Sequence, residues 1–355
     1  MPLNDVLSRI DSRAAPVAPR EIDVRAALGR TLAADVVASV QPEAALALRD
    51  GWAVPADATA DAGSYAPAPL PSAVRVDVGE ALPPSADAVA PLDAVMGHGE
   101  RAEALAPVVA GDGVLPAGAD AGSEPLRRTG ERLRRTDAAA LLGAGIKRVT
   151  IREPRVRVVR AGAAGAVIDA AVALIAGAIE AEGGVARHEA GSLEAALHDE
   201  NVDAVIAIGG TGMGRNDTSV TTLARSGEVD CHGVGLMPGE TAAFGRVGAR
   251  PVLLLPGRLD AALAGWLVLG RRLLARLSGR AEDEPAIPVA LARKVASTVG
   301  FAEVVPVRRR ADAVEPLASG YLPLSAIARA DGWILIPPES EGHPAGATVA
   351  LRPWP

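Results

Sequence analysis

The chain has one cysteine, two lysines and an aromatic content of 2 % in 355 residues. The lone Cys231 excludes an intramolecular disulfide framework and any zinc or iron–sulfur site built from several cysteines. A basic balance is missing as well, since the formal net charge is −7. The arginine doublets Arg127-Arg128, Arg134-Arg135 and Arg271-Arg272 alternate with acidic and apolar residues and read as solvated helix faces. Nucleic acid and anionic lipid are therefore not expected partners. No apolar run is long enough to span a bilayer: the longest, Leu259 to Gly270, is short and carries Asp260. The opening MPLNDVLSRIDSR has no apolar core of a signal peptide, so a cytoplasmic protein is expected.

What is present is globular in character, with 49 % hydrophobic and 22 % charged residues. Alanine makes up roughly a fifth of the chain, and all basic residues except Lys147 and Lys294 are arginine. GC-rich coding produces both biases, so neither excess speaks of function by itself. The length suggests two to four structural units.

Val6 and Ile10, then Val24, Leu28 and Leu32, fall at helical spacing on either side of Pro16 and Pro19. Residues 1–45 with 116–150 are thus expected to form a helical domain, Asp137 standing early in a helix of the second segment. Residues 46–115 are rich in Pro, Gly, Ala and Asp and contain short β-like runs at Val74–Val78 and Ala88–Val89, which predicts an inserted β domain. From 151 to 280, strands alternate with helices. RVRVV (155–159), DAVIAIGG (203–210) and PVLLLPG (251–257) read as buried strands. Ile168, Val172, Ile175 and Ile179 share one helix face stopped by Gly183-Gly184, and Ser192 can cap a second short helix. A helix of about ten residues should end near Gly227, and a long one should run from Asp260 towards Gly279. This pattern predicts a doubly wound α/β domain. AEDEPAIP (281–288) reads as a linker, and 285–355 as a C-terminal β domain.

In such sheets ligands bind beyond the carboxyl ends of the strands. Two strand-to-helix loops qualify. GGTGMGRND (209–217) brings Gly209, Gly210, Thr211, Gly212, Gly214, Arg215 and Asp217 together, with Ser219 in the following turn. LPGRLD (255–260) brings Pro256, Gly257 and Arg258. Glycines admit close approach of a ligand to backbone N–H groups, and a helix start attracts anions. Either loop also reads as a tight turn whose glycines serve packing. Asp217 is a cap or a ligand to Mg²⁺. G-x-G-x-x-G is broken by Arg215, and no G-x-x-x-x-G-K-[ST] occurs, so a dinucleotide or P-loop site is not expected. The Cys231-His232 pair reads as incidental, and His98, His188, His198 and His343 lack metal-ligand spacing.

Six segments in order carry a resemblance to a known family: RDGWAV (49–54), ADAV (86–89), GGTGMGRND, MPGETAAFG (237–245), LPGRLDAAL (255–263) and LSAIARADGWILIP (324–337). They resemble the motifs of the MoeA/gephyrin molybdenum insertases, M-D-G-Y-A-V, G-A-D-A-V, G-G-V-S-V-G-x-x-D, K-P-G-K-P-x-x-F-G, L-P-G-N-P-V-S-A and S-L-A-x-A-N-G-L-x-x-I-P. The resemblance implies a multidomain α/β fold: a MogA-like molybdopterin-binding domain, a split helical domain, an inserted β domain and a C-terminal β domain. It further implies insertion of molybdate into adenylated molybdopterin with release of AMP, magnesium as cofactor, and a homodimer in which Asp50 faces the Gly-rich loop of its mate. Asp50 and Asp217 would then be catalytic and hold Mg²⁺, while the 209–214 backbone, Arg215, Ser219, Pro238, Gly239, Pro256, Gly257 and Arg258 would contact the pterin or its phosphate.

The chain departs from the family where charge is expected. T-G-D-E-L corresponds to Ala161-Gly162-Ala163-Ala164-Gly165, and an Asp pair falls near Glu189-Ala190-Gly191. The lysines of K-P-G-K are Met237 and Glu240, and the Asn of P-G-N-P is Arg258. Arg49, Arg160, Arg215 and Arg258 occupy motif loops and read either as compensation, offering planar forks to oxyanions, or as the arginine bias of the whole chain. A rival reading is a non-catalytic molybdopterin-binding paralogue, or a partner of an insertase. A molybdoenzyme acceptor or a paralogous insertase would then be its protein partner.

Overall fold

Alternate residues of three neighbouring strands face opposite ways, and both faces are buried. Strands β1 (Arg155–Arg160), β2 (Val185–Arg187), β3 (Ala204–Ile208), β4 (Glu228–His232), β5 (Ala243–Val247) and β6 (Arg250–Leu255) form one six-stranded sheet in the order β2-β1-β3-β6-β5-β4. The first four in that order run parallel, whereas β5 pairs antiparallel with both β6 and β4. The structure is a computed structural model and describes residues 1–98, 101–188, 191–280 and 286–355. Residues 281–285 of the expected linker and the Glu189-Ala190 position lie outside the described residues.

The chain divides into two compact units. One is Asp35–Arg128 with Arg135–Arg148; the other is Met1–Ala34, Thr129–Arg134 and Val149–Pro355. Helix α1 covers Leu3–Arg13 and α2 covers Arg135–Gly143. The helical reading of 1–45 and 116–150 therefore needs correction. Beyond α1, residues 20–23 and 31–32 are extended, with a single 3₁₀ turn at Val24–Ala27 in which the Arg25 amide donates to the Asp23 carboxylate. The apolar spacing of Val24 and Leu32 arises from a turn and a strand that both point inward. In the second segment, Arg148–Arg152 is a strand that pairs with Thr31–Leu32.

The Asp35–Arg128 unit is built from small β sheets. Gly51–Val54 lies between Val74–Val76 and Ala88–Ala90, and Arg101–Ala104 lies between Ala68–Leu70 and Val95–His98. Its core is made of small side chains, among them Val54, Ala88, Ala90 and Ala104. Gly51 is required by packing, because a Cβ there would sit 2.2 Å from the Ala90 carbonyl oxygen.

In the larger unit, α3 (Ala166–Ala181), α4 (Leu193–Leu197), α5 (Ser219–Ser226), α6 (Leu259–Gly265) and α7 (Arg271–Ser278) flank the sheet. Val158, Ile206, Leu253 and Leu255 pack with Ile175 and Ile179 of α3 and with Trp266, Leu273 and Leu277. Val159, Val205, Ala207 and Leu254 pack with Leu193 and Leu197 of α4 and Leu223 of α5 on the opposite face. Each of the buried Val, Leu and Ile side chains contributes about 1.5–3 kcal/mol by leaving water. Helix α3 stops as expected: Gly183 takes φ +92°, and the Gly184 amide donates to Ile179 O. Ser192 caps α4 by accepting from Ala195 N at 3.1 Å. The long helix after Asp260 is continuous but widens to a π turn at Trp266–Gly270, where the Trp266 ring lies over Gly270. The doubly wound core carries an antiparallel edge, since β5 pairs antiparallel with both β6 and β4 after α5.

The C-terminal β domain carries Ile287–Leu291, Ala302–Arg309, Ala313–Pro316, Gly332–Ile336 and Thr348–Pro353 in one sheet. Leu236–Met237 joins that sheet in parallel with Ala302–Glu303. Among the described residues no helix is long and apolar enough to cross a membrane.

Candidate functional site

Strands β1, β3 and β6 end at Arg160, Ile208 and Leu255, and the loops that leave them meet at a cavity of about 580 Å³. Its wall includes Gly162, Ala163, Gly165 and Ala166 after β1, Gly209 to Gly212 with Asp217 after β3, and Pro256, Gly257 and Arg258 after β6. This is the carboxyl edge of the parallel strands, where helices α3, α5 and α6 begin and their free N–H groups favour anions.

The glycines are set by close packing. Gly209 (φ +100°) and Gly210 (φ +68°) take backbone conformations that side chains resist. A Cβ on Gly209 would lie 2.8 Å from the Gly162 nitrogen, and one on Gly257 would lie 3.3 Å from the Gly209 Cα, so the three loops touch backbone to backbone. Gly209 N donates to Leu255 O, which extends the β3–β6 ladder into the loop.

Asp217 shapes the rest of the loop. Its Oδ2 accepts from Gly214 N at 2.7 Å, and a Cβ on Gly212 or Gly214 would approach the same oxygen to 2.7 or 2.9 Å. Thr211, 2 % exposed, shares a 2.9 Å hydrogen bond between its hydroxyl and that of Thr241. His232 Nε2 lies 2.9 Å from the Thr211 carbonyl oxygen. Thr241, and Gly162, Ala163, Gly165 and Ala166 of the β1 loop, are wall residues that the motifs alone did not single out. Thr241 occupies the position of a proline in the family pattern, and the β1 loop drew attention only for the acids it lacks.

Other expected site residues stand outside the cavity wall. Ser219 is 1 % exposed and its hydroxyl donates to Gly209 O at 2.7 Å, so it braces the loop from behind. Pro238 and Gly239 are buried next to the short strand Leu236–Met237. Arg215 and Gly214 are exposed. Asp50 belongs to the other unit, where it is exposed and accepts from Val78 N at 2.8 Å.

The loop arginines differ in their freedom. Arg258 is held by Asp260, Nη2 to Oδ2 at 2.5 Å and Nε to Oδ1 at 3.1 Å, and its guanidinium lies 5.2 Å from the Tyr321 ring centre. The Asp260 contact raises the Arg258 pKa above its ordinary value, so its charge is permanent. Arg160 pairs with Asp169 at 2.8 Å and Arg49 with Asp112 at 2.7 Å. Among the described residues only Arg215 of the four has no hydrogen-bond or ion-pair partner. The compensating-arginine idea thus narrows to Arg215, with Arg258 offering what its paired fork leaves over. Cys231 is buried, and burial pushes its thiol pKa up, which fits an inert side chain. Among the described residues no three His, Cys, Asp or Glu side chains gather as a metal-binding group.

Three family models match the chain in series. They are the MoeA N-terminal region (domain I and II) over residues 1–145, a model described as "Probable molybdopterin binding domain" over 160–276, and the MoeA C-terminal region (domain IV) over 288–354. A solved MoeA molybdopterin biosynthesis protein from Pyrococcus horikoshii superimposes with a TM-score of 0.80 at 26 % identity, over 100 % of this chain and 99 % of that one. A molybdenum cofactor biosynthesis protein from Pyrococcus furiosus shares the fold, with a TM-score of 0.66 at 18 % identity over 100 % and 99 % of the two chains. A molybdopterin biosynthesis protein of Methanocaldococcus jannaschii is 30 % identical over 148 residues, 41 % of this chain. That match spans only 35 % of this curated relative's length.

Proposed function

This chain belongs to the MoeA family of molybdenum cofactor biosynthesis proteins, and we propose that it binds adenylated molybdopterin in the cavity at the ends of β1, β3 and β6, inserting molybdate with release of AMP. The observation that carries the reading is the cavity of about 580 Å³ at the carboxyl ends of three parallel strands, walled by the two glycine loops that leave β3 and β6. The amides of 210–212 cradle the pterin or its phosphate, Pro256-Gly257 close the opposite wall, and Arg215 reaches for an oxyanion.

Magnesium fits this donor set in a limited way. Asp217 is the one carboxylate on the wall, with Oδ2 committed to Gly214 and no partner on Oδ1 among the described residues. Mg²⁺ is commonly held by one or two carboxylates plus substrate phosphates, so Asp217 would hold it and the ion would neutralise charge on the phosphoanhydride. Asp50 of a second copy would supply the further carboxylate that the resemblance implies. The reaction cleaves the phosphoanhydride, releases AMP and leaves molybdenum on the dithiolene.

The test is AMP release from adenylated molybdopterin supplied with molybdate and Mg²⁺. Wild type should turn over, and Asp217→Ala should slow it at least tenfold, in keeping with loss of a ligand-orienting carboxylate. Mixed dimers of D50A and D217A chains should regain activity that neither pure dimer shows. A second reading, a non-catalytic molybdopterin binder, is favoured by Ala163, which faces the cavity where the family pattern carries acid. Binding without AMP release would select it, and no binding would sink both.

A further inference from the structure

Tyr321 is one of two tyrosines in the chain and is 57 % exposed, yet the loop that carries it is fastened on both sides. On one side Gly320 N donates to Glu303 Oε1 at 2.6 Å, and Glu303 is 1 % exposed. On the other side Leu322, 1 % exposed, directs its amide at Asp260 Oδ2 at 3.4 Å, and Asp260 is 3 % exposed. Asp260 at the same time grips the Arg258 guanidinium, which lies against the Tyr321 ring and also lines the cavity. One buried carboxylate thus aligns a flat cation on the cavity wall with an aromatic ring 5.2 Å from that cation. An ordinary surface Arg–Tyr contact needs neither buried carboxylate, and a loop held this firmly loses little entropy when a ligand lands on it.

We infer that Tyr321, positioned by Asp260, Glu303 and Arg258, is a stacking platform for the planar heteroaromatic ring of the cavity's ligand, an adenine or a pterin. This rests on the ligand class proposed above. Such rings stack on aromatic faces whatever their edge pattern, and a guanidinium plane beside the ring extends the surface. The phosphate end of the ligand lies on the glycine loops and the ring lies over Tyr321, so the pair selects a ring-bearing phosphate over a bare one. The role is one of specificity rather than of chemistry, and no bond changes at this position.

The test is calorimetric titration of the full chain, as wild type, Tyr321→Phe and Tyr321→Leu, with molybdopterin, AMP and ribose 5-phosphate. Tyr321→Leu should bind molybdopterin or AMP about tenfold more weakly, as expected for loss of one stacked ring. Tyr321→Phe should stay within about twofold of wild type for every ligand, because it keeps the ring. Ribose 5-phosphate, which has no ring system to stack, should bind all three alike. A loss confined to molybdopterin assigns the pterin, and one confined to AMP assigns the adenine; either supports the platform. Unchanged melting temperatures certify that the variants are folded. Wild-type affinity of Tyr321→Leu for both ring-bearing ligands would overturn the platform while leaving the pterin reading intact. An equal loss for ribose 5-phosphate would overturn it too. Failure of the wild type to bind any ring-bearing ligand would overturn both.

Discussion

Asp217 and Gly214 are bonded to each other twice: the Gly214 amide donates to Asp217 Oδ2 at 2.7 Å, and the Asp217 amide donates to the Gly214 carbonyl at 3.0 Å. The carboxylate that the family pattern marks for chemistry is therefore also the strap that shapes the loop. Gly212 and Gly214 are small because that carboxylate lies against them. Gly212→Ala should push Asp217 aside and weaken ligand binding about tenfold, since site geometry tolerates little displacement. In an Asp217→Ala background the same change should cost little. A double-mutant cycle of ligand affinity measures the coupling.

Ser219 serves the fold of the loop. Its buried hydroxyl holds the Gly209 carbonyl, and a Cβ on Gly210 would strike Ser219 Oγ at 2.4 Å. Ser219→Ala should lower stability by about 1–3 kcal/mol, the cost of an unsatisfied buried acceptor. Gly210→Ala should cost more, because it adds a clash to a left-handed backbone. Chemical denaturation of both variants checks the order.

Asp260 links Arg258 to the Tyr321 loop. Asp260→Ala leaves the Leu322 amide without its acceptor and the guanidinium without its anchor. Because the Arg258 side chain is 57 % exposed, water takes up part of the loss. A destabilisation of about 1–3 kcal/mol is expected, with a larger effect on ligand affinity than from Arg258→Lys, which keeps a cation at the wall. Thermal unfolding alongside ligand titration separates the two effects.

Cys231 should react with iodoacetamide only on unfolding. Burial raises its pKa in the folded chain, so the unfolded chain releases the thiol proton first as pH rises. The resulting stability is complete below the ordinary thiol pKa and is lost as pH climbs from there through the raised folded value. Cys231→Ala should flatten that alkaline decline, as read from denaturation midpoints across the same range.

The α/β domain was legible because its strands are continuous apolar runs and its helices keep one face. Ile168, Ile175 and Ile179 bury together as their spacing implies, and Gly183-Gly184 ends the helix. Residues 24–32 misled, because an apolar residue at each inward turn of an irregular segment repeats at helical spacing without a helix. The antiparallel strands β4 and β5 were missed, since EVDCH and AFGRV alternate weakly. At the site, the glycine loops announced themselves, but partnerships did not. That Arg258 is paired with Asp260 while Arg215 has no partner among the described residues depends on side-chain directions that no motif encodes. Tyr321 lies more than sixty residues beyond Arg258 and joins it only through the fold. The scarcity of lysine bears on the site after all: coding bias explains arginine for lysine, but not Met237 and Glu240, so those two positions mark real divergence.

The most direct measurement is the dissociation constant of molybdopterin from the wild type and from Ala163→Trp, which fills the cavity from an exposed wall position. Saturable binding to the wild type, weakened at least tenfold by the indole, is the result predicted, because a filled pocket excludes its ligand. Molybdopterin that fails to bind the wild type, or that binds Ala163→Trp equally well, would contradict the assignment of this cavity.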